Sequence, residues 1–365
     1  MTNIIFGESL SQTTDIEVCN SLNRKGWDII IVSPYGKDSG RLIKKNGHKW
    51  RGISNSKIRG LKSFSLDRNI RLSLKEIIEE EKIDFAITNW STVRGAWKIL
   101  DECEIPWIMD DRSPPVHEDL IGWLQWIHYR MSWKVGARMA KGFTLITPAL
   151  RDSITSKYKL NQPIKLWQSG VAIEKFHKSS WPIDGKIRLV YHGLIDKERG
   201  INNIIDLGDR LCLDNDNFEI LIFGQGNYFK RINQQKIGRP WLKILGRQEY
   251  EKVPQLIKEC HIGLLPLPDS YQWSFSSPLK LFEYAASGLN VIATDIRCHR
   301  DLGERSWIKL VDPENFAEES CNAIIEILEE SNWKENSEKA REDAINNFSW
   351  DFVTNQIEDI IEEII

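Results

Sequence analysis

The stretch Trp273-Ser-Phe-Ser-Ser-Pro-Leu-Lys-Leu-Phe-Glu-Tyr-Ala-Ala-Ser-Gly-Leu-Asn-Val-Ile-Ala-Thr294 decides the fold of this 365-residue chain. Ser277 followed by Pro278 predicts a helix start, with a hydroxyl cap and then proline at the first helical position. We expect the helix to stop at Gly288, because glycine readily ends a helix, and a strand to follow over residues 291–294. The order of helix, glycine and buried strand predicts an α/β protein.

The first turn of this predicted helix is a candidate anion site. The backbone amides at Ser276 and Ser277 and the positive end of the helix dipole suit a diphosphate. Lys280 and Glu283 are three residues apart and therefore share one face of the helix. They either form a surface ion pair that contributes little stability or bind a phosphate and a ribose, respectively.

Short apolar runs alternate with amphipathic stretches on both sides of this motif, and the pattern restarts near residue 186. The predicted strands cover residues 3–6, 29–33, 84–88, 107–109, 143–147, 188–191, 219–223, 242–244, 262–265, 291–294 and 308–311. This alternation predicts two Rossmann-like domains whose parallel sheets face each other across a cleft. We expect a first domain at 1–170, a linker at 171–186, a second domain at 187–349 and a closing helix at 350–365 that crosses back.

The net charge of −3 is the sum of unlike parts. Residues 1–180 carry 28 Lys+Arg and 20 Asp+Glu, a net charge of +8, whereas residues 311–365 carry 3 and 16, a net charge of −13. The composition, 41% hydrophobic and 28% charged, is ordinary for a folded protein and argues against disorder. The six cysteines include no C-x-x-C pair, which favours a reduced cytoplasmic protein without a zinc site. No signal peptide and no membrane span are expected.

Basic and aromatic residues concentrate in the first half of the chain. Residues 41–75 hold eleven Lys+Arg and one acid, and residues 120–151 hold five bases and no acid. Tryptophans spaced three or four apart predict an amphipathic helix in the second stretch. The residues predicted to face an anionic membrane or an acceptor are Trp123, Trp126, Arg130, Trp133, Lys134 and Arg138. Packing of these rings against the sheet is the main alternative, and a nucleic-acid site is a weaker one that the net charge disfavours.

The stretch from Asp110 to Asp119 follows a predicted strand and therefore lies at the carboxyl end of the sheet. Asp110, Asp111 and His117 are the candidates for catalysis on the acceptor side, with Arg112 beside them. Their spacing matches no standard ligand set, so we expect no metal. Capping of the loop or of the next helix by the aspartates is the structural alternative.

The segment from Ser277 to Thr294 resembles the donor-site motif of the retaining GT-B glycosyltransferases of family 4, the glycosyl transferases group 1. In that family the glutamate matching Glu283 holds the ribose of a nucleotide sugar. Val190-Tyr-His-Gly-Leu-Ile-Asp-Lys-Glu-Arg-Gly-Ile201 is similar to the segment that opens the family's second domain, where an arginine and a lysine grip the diphosphate. Leu194 replaces that arginine, while Arg199 keeps the charge of the lysine.

Further segments extend the resemblance over nearly the whole chain. Residues 223–227 (Phe-Gly-Gln-Gly-Asn), 244–247, 166–176 and 348–350 are similar to family elements. The resemblance implies that Arg199, Lys280, Ser276 and Ser277 bind the donor diphosphate, and that Gly193, Gly224, Gly226 and Gly246 line the donor cleft. Phe275 stands where the family often has a second glutamate, so contacts made by that glutamate must come from another group.

The resemblance implies a retaining, metal-independent hexosyltransferase that uses a UDP- or GDP-linked sugar and no cofactor. The implied acceptor is a hydroxyl of a lipid-linked glycan or a surface-polysaccharide precursor, reached from the cytoplasmic face of a membrane. Two alternatives stay open. One is a catalytically silent GT-B subunit whose acidic tail binds a partner, and the other is an epimerase-like sugar-nucleotide enzyme of the same fold.

Overall fold

The structure is a computed structural model that describes residues 2–6, 12–35, 47–54, 62–115, 120–179, 185–214, 217–329 and 332–365. The chain divides into two compact units. The first comprises Met1–Gln168 together with Trp350–Ile365, and the second comprises Ser169–Ser349.

The first unit is built on a seven-stranded sheet in which every neighbouring pair is parallel. The strand order is β3-β2-β1-β4-β5-β6-β7. These strands are β1 (Thr2–Phe6), β2 (Asp28–Pro34), β3 (Lys49–Ile53), β4 (Phe85–Asn89), β5 (Trp107–Asp111), β6 (Gly142–Leu145) and β7 (Ile164–Leu166). In β2 the five consecutive residues 29–33 are buried, because helices cover both faces of a parallel sheet.

Helices alternate with the strands of this unit. A π-helical turn (Gln12–Ile16) leads into α1 (Glu17–Arg24), and α2 (Lys62–Glu80), α3 (Val93–Glu102), α4 (Leu120–Met139) and α5 (Pro148–Thr155) follow. The start of α5 follows the predicted chemistry of helix caps, because the Thr147 hydroxyl accepts a hydrogen bond from the amide of Leu150 at 3.2 Å and proline follows it.

The second unit has a six-stranded, fully parallel sheet in the order β10-β9-β8-β11-β12-β13. Its strands are β8 (Ile187–Leu194), β9 (Phe218–Gln225), β10 (Leu242–Gly246), β11 (Ile262–Leu265), β12 (Asn290–Thr294) and β13 (Ile308–Val311). Alternate residues of β8 pack into different layers: Leu189 and Tyr191 lie in one apolar cluster and Val190 in the other.

The helices of the second unit are α6 (Ile201–Asp214), α7 (Phe229–Gln234), α8 (Val253–Lys258), α9 (Tyr271–Ser274), α10 (Leu279–Ala286), α11 (Arg297–Arg300), α12 (Phe316–Glu329) and α13 (Trp333–Asp343). Two short 3-10 turns, Lys197–Arg199 and Tyr250–Lys252, and a π-helical turn, Ala344–Phe348, complete the unit. The two Rossmann-like domains predicted from the sequence are therefore confirmed.

The last helix, α14 (Trp350–Ile364), belongs to the first unit. It packs against α1, where the Asp351 carboxylate accepts hydrogen bonds from the Ser21 hydroxyl at 2.5 Å and from Arg24 at 2.6 Å. Lys25 forms an ion pair with Glu358, two turns further along α14, at 2.5 Å. These bonds tie the acidic last helix to the end of α1, where Arg24 and Lys25 supply the positive charge.

Two details differ from the prediction. The stretch predicted as a linker contributes buried Val171, Ala172 and Phe176 to the second unit, so compact structure begins before residue 187. The edge strands β3 and β7 were not predicted. None of the helices among the described residues combines the length and the apolar character needed to cross a bilayer.

Candidate functional site

The carboxyl edge of the second sheet carries most of the predicted donor residues. Helix α10 runs from Leu279 to Ala286 and is preceded by Pro278. The predicted hydroxyl cap is wrong, because the Ser277 hydroxyl accepts a hydrogen bond from the Ser169 amide at 2.9 Å. The anion site predicted at Ser276 also needs correction. Its amide and its hydroxyl both donate to the carbonyl of Trp273, at 3.0 and 2.8 Å.

Glu283 is a buried carboxylate on α10, with 3% of its surface exposed. Its Oε2 lies 3.1 Å from Nε2 of His192, which stands near the carboxyl end of β8. The imidazole stacks on Phe223 with ring centroids 5.3 Å apart and meets the edge of Tyr284 at 5.4 Å. A carboxylate held at this edge of a parallel sheet is suited to accept hydrogen bonds from ligand hydroxyls.

Lys280 lies one turn before Glu283 and points across the end of β8. A Cβ added at Gly193 would lie 2.8 Å from Cε of Lys280, so the lysine chain runs directly over this glycine. Its Nζ is 5.3 Å from the centre of the Tyr191 ring. Burial and the charge of Arg199 lower the pKa of Lys280 to about 8, and Glu283 partly opposes the shift.

Arg199 ends the 3-10 turn that follows β8. Its guanidinium stacks on the Trp273 ring at 4.6 Å, and the indole nitrogen of Trp273 donates to the carbonyl of Glu198 at 3.2 Å. Trp273 therefore fixes both the side chain and the backbone of this turn. Arg199 and Lys280 are neighbouring cations, since the charge of Arg199 lowers the pKa of Lys280, and such a pair suits a diphosphate.

The glycines predicted to line the donor site end the strands at this edge. Gly193 and Gly224 pair across β8 and β9. Gly224 has φ +144°, and a Cβ there would lie 1.7 Å from the carbonyl oxygen of Gly193. Gly226 follows in the next turn, and Gly246 ends β10. Only residues without a side chain permit the β8–β9 approach.

His192 and Trp273 are the residues of this site that sequence reasoning missed. His192 is a polar residue that directly follows the apolar run of β8, and this break in the pattern was the available signal. Trp273 stood at the start of the decisive stretch, but nothing in its spacing indicated a contact with Arg199.

On the first unit, Asp110 lines a cavity of about 240 Å³ at the carboxyl ends of β1, β4 and β5. Its lining residues are Ile5, Phe6, Thr14, Asp15, Val18, Ile87, Asn89, Trp90, Asp110, Arg112, Ser113, Trp167 and Ile357. Asp110 accepts hydrogen bonds from Thr144 at 2.9 Å and from the Trp167 indole at 2.5 Å. Burial raises the pKa of this carboxyl, and the charge of Arg112 partly opposes the shift. Arg112 lies over the Trp167 ring at 4.4 Å.

Two predicted roles in this unit are wrong. Asp111 has no exposed surface, and its Oδ2 accepts hydrogen bonds from the Tyr129 hydroxyl at 2.6 Å and the Trp133 indole at 2.9 Å. It holds α4 against the sheet and cannot touch an acceptor. Trp133 is fully buried between the rings of Phe143 and Tyr158, so it is no part of a surface. His117 lies outside the described residues.

The other predicted surface residues of α4 do reach solvent. Trp123 is 59% exposed, and Arg130, Lys134 and Arg138 are exposed along the same helix. Trp126 is half-buried, with its ring against the edge of Tyr129 at 5.4 Å.

Comparisons with known proteins extend these observations. Residues 173–347, which contain Arg199, Lys280 and Glu283, match the family model described as Glycosyl transferases group 1. No curated protein matches the chain. Sucrose-phosphate synthase from Thermosynechococcus elongatus is similar in structure, with a TM-score of 0.76 at 14% identity, over 99% of this chain and 98% of that one.

Two further solved structures have the same architecture. Anabaena HepE in complex with UDP gives a TM-score of 0.76 at 15% identity and covers 100% of both chains. The lipopolysaccharide outer core galactosyltransferase WaaB gives 0.68 at 16% identity, also over 100% of both chains. The GT-B fold expected from the sequence is confirmed.

Proposed function

We propose that this chain is a glycosyltransferase that moves a sugar from a nucleoside diphosphate to an acceptor hydroxyl. The observation that carries the proposal is the convergence of Arg199, Lys280 and Glu283 at the carboxyl edge of one parallel sheet. Ligands of α/β proteins bind at this edge. The two cations are suited to bind the diphosphate, and the buried carboxylate is suited to accept hydrogen bonds from the ribose hydroxyls.

The proposed donor is a UDP- or GDP-linked sugar. Structures of Anabaena HepE hold UDP, UDP with glucose, and UDP-glucose, which makes uridine nucleotides the first to test. We assign the diphosphate to Arg199 and Lys280, and the ribose to Glu283. The absence of a side chain at Gly193 leaves room for Lys280, and its absence at Gly224 lets β9 approach β8.

The proposed reaction retains the anomeric configuration and needs no metal or other cofactor. The bond between the anomeric carbon and the diphosphate oxygen breaks, and the acceptor oxygen bonds to the same face of that carbon. The acceptor proton passes to the leaving diphosphate. Arg199 and Lys280 stabilise the negative charge that develops there, so their contribution is electrostatic preorganisation.

We propose that the acceptor binds in the cavity of the first unit, where Asp110 would orient its hydroxyl. Aliphatic walls, the Trp90 and Trp167 rings and a few polar groups are a suitable lining for a sugar. The proposed acceptor is a lipid-linked glycan or a surface-polysaccharide precursor, glycosylated peripherally at the cytoplasmic face of a membrane. WaaB is described as a lipopolysaccharide outer core galactosyltransferase, so lipid-linked glycans are the first acceptors to test.

A panel of UDP- and GDP-sugars tests the proposal, with release of the nucleoside diphosphate as the readout and lipid-linked glycans as acceptors. Acceptor-dependent release of one nucleotide is the expected result, and proton coupling constants of the product then report retention or inversion. Conversion of the sugar nucleotide without any acceptor would instead identify an epimerase-like enzyme. Nucleotide binding without turnover of any donor would identify a silent subunit.

A further inference from the structure

Helix α4 presents to solvent a stripe that no other described part of the chain covers, which we call the α4 outer face. Its members are Leu120, Trp123, Leu124, Ile127, Arg130, Met131, Lys134 and Arg138. At about 100° per residue these positions fall within an arc of about 120°. Leu120 is 75% exposed, and Leu124 and Met131 are 44% and 46% exposed. An exposed apolar row of this kind on one helix indicates a binding surface.

The α4 outer face changes character along its length. Its first half is apolar, and its second half carries Arg130, Lys134 and Arg138. None of these three bases forms an ion pair within the part of the chain that the structure describes. Residues 120–151 contain no acid, so no carboxylate of α4 itself neutralises the positive charge of this half.

The inner face of α4 fixes the helix firmly to the sheet. Tyr129 and Trp133 both donate hydrogen bonds to the buried Asp111. Gly136 lies against Met109, where an added Cβ would be 2.6 Å from the sulfur. The helix therefore cannot roll to bury Trp123, and the α4 outer face is a stable feature of the fold.

The same helix contacts the wall of the cavity in its own unit. Trp90 lines the cavity, and its ring meets the edges of His128 and Tyr129 with centroids 5.9 and 5.5 Å apart. Asp111, which anchors α4, directly follows the cavity residue Asp110 in β5. A partner that covers the α4 outer face is thus held by the helix that also supports the cavity.

We propose that the α4 outer face docks on an anionic lipid bilayer. The apolar half enters the boundary between head groups and acyl chains, and the basic half binds the head-group phosphates. Trp123 has the ring type that favours this boundary. A nucleic acid fits less well, because Leu120, Leu124 and Met131 offer no stacking surface to a base.

Docking in this way holds the first unit, and with it the cavity assigned to the acceptor, at a lipid surface. This consequence rests on the proposed function. The docking itself does not, because it needs neither a nucleotide sugar nor an acceptor.

Vesicle flotation with the full chain tests the docking. The probes are vesicles of phosphatidylcholine alone and vesicles that also contain phosphatidylglycerol. We expect binding only to the anionic vesicles, and weaker binding as salt is added. Each basic residue near such a surface contributes about fivefold in partitioning. The triple variant Arg130→Gln, Lys134→Gln, Arg138→Gln should therefore bind about a hundredfold more weakly.

A second variant, Trp123→Ser with Leu124→Ser, tests the apolar half and should also lose vesicle binding. Both sites are exposed, so circular dichroism should report an unchanged fold. The matched controls lie on the other unit: Lys230→Gln, Arg231→Gln, Lys236→Gln for charge and Ile237→Ser for apolar exposure. They should bind like the wild type.

Three results would overturn the docking proposal: no binding to anionic vesicles at low salt, equal losses in the control variants, or variants of α4 that change only oligonucleotide binding or self-association. Acceptor-dependent nucleotide release, measured with a detergent-solubilised acceptor and without vesicles, reports separately on the proposed function. Normal release with absent vesicle binding would refute only the docking, and the reverse result would refute only the proposed activity.

Discussion

The protonation of Lys280 offers a direct test of the donor site. Its pKa is lowered to about 8, first by burial and then by Arg199, so the ammonium is not fully populated across the neutral range. A pKa of about 8 gives about ten charged lysines to one neutral at pH 7, and the inverse ratio at pH 9. If the diphosphate binds the ammonium, the dissociation constant of the nucleotide should rise about tenfold over that interval.

Two substitutions isolate this effect. Lys280→Gln removes a charge-assisted hydrogen bond worth about 1.5–3 kcal/mol, so the nucleotide should bind about 10- to 150-fold more weakly at pH 7. The ratio of the dissociation constants of Lys280→Gln and the wild type should shrink about tenfold at pH 9, where the wild-type lysine is itself mostly neutral. Lys280→Arg stays charged, so its affinity should not follow the titration of the lysine.

Calorimetric titration of UDP and GDP into the three proteins at pH 7, 8 and 9 supplies the measurement. Any change in the protonation of the nucleotide between pH 7 and 9 is the same for all three proteins. It therefore cancels when their dissociation constants are compared as ratios. Equal pH profiles for the wild type and Lys280→Gln would refute the assignment of Lys280 to the diphosphate.

Three further predictions concern the fold. Trp133→Ala should lower the free energy of unfolding by about 3–5 kcal/mol in urea titrations, whereas Trp123→Ala on the same helix should change it by less than about 0.5 kcal/mol; equal effects would contradict the burial of Trp133. Gly224→Ala should abolish nucleotide binding in calorimetry, since its Cβ would meet the carbonyl of Gly193, and wild-type affinity would show that the strands separate easily. Burial lowers the pKa of His299 from 6.5 to about 4, so protonation of the unfolded chain should cost the wild type about 3 kcal/mol of stability as pH falls through that window. His299→Asn should lose less stability there in acid titrations followed by circular dichroism, and an identical acid profile would contradict the assignment.

The central strands were predictable because helices cover both of their faces, which leaves continuous apolar runs. The edge strands β3 and β7 were not. Lys49–Ile53 reads Lys-Trp-Arg-Gly-Ile, and only Ile53 in it is buried. Ile164–Leu166 has only half-buried residues. Strands with so few buried residues carry little apolar signal, whereas the edge strands β10 and β13 of the second sheet hold apolar residues around one lysine and were predicted.

The proximity of Lys280 and Glu283 was predictable and the environment of Asp111 was not, and the reason is the range of the contacts. Lys280 and Glu283 share a helix turn, so local periodicity places them together. Asp111 is satisfied by Tyr129 and Trp133, 18 and 22 residues away, and no local pattern reveals such partners. The aromatic spacing of α4 predicted a helix correctly, but it did not distinguish buried Trp133 from the outer face.

The helix cap predicted from the local sequence at the start of α10 was also wrong. Ser-Pro is a common helix start, yet the Ser277 hydroxyl is taken by the Ser169 amide, which is 108 residues distant in sequence. A cap predicted from two adjacent residues leaves out a hydrogen-bond donor that lies far away in the sequence. His192 illustrates the converse case, since its contact with Glu283 becomes visible only when β8 and α10 are brought together.

Glu283 is the residue on which the proposed donor site depends most, because it is the buried carboxylate assigned to the ribose. The most direct test measures nucleoside diphosphate release from the preferred sugar nucleotide by the wild type and by Glu283→Ala, with Glu249→Ala on the exposed surface as the control. Glu283→Ala should lose both nucleotide binding and turnover, while the control retains both. Wild-type kinetics in Glu283→Ala would contradict the assignment of Glu283 to the ribose.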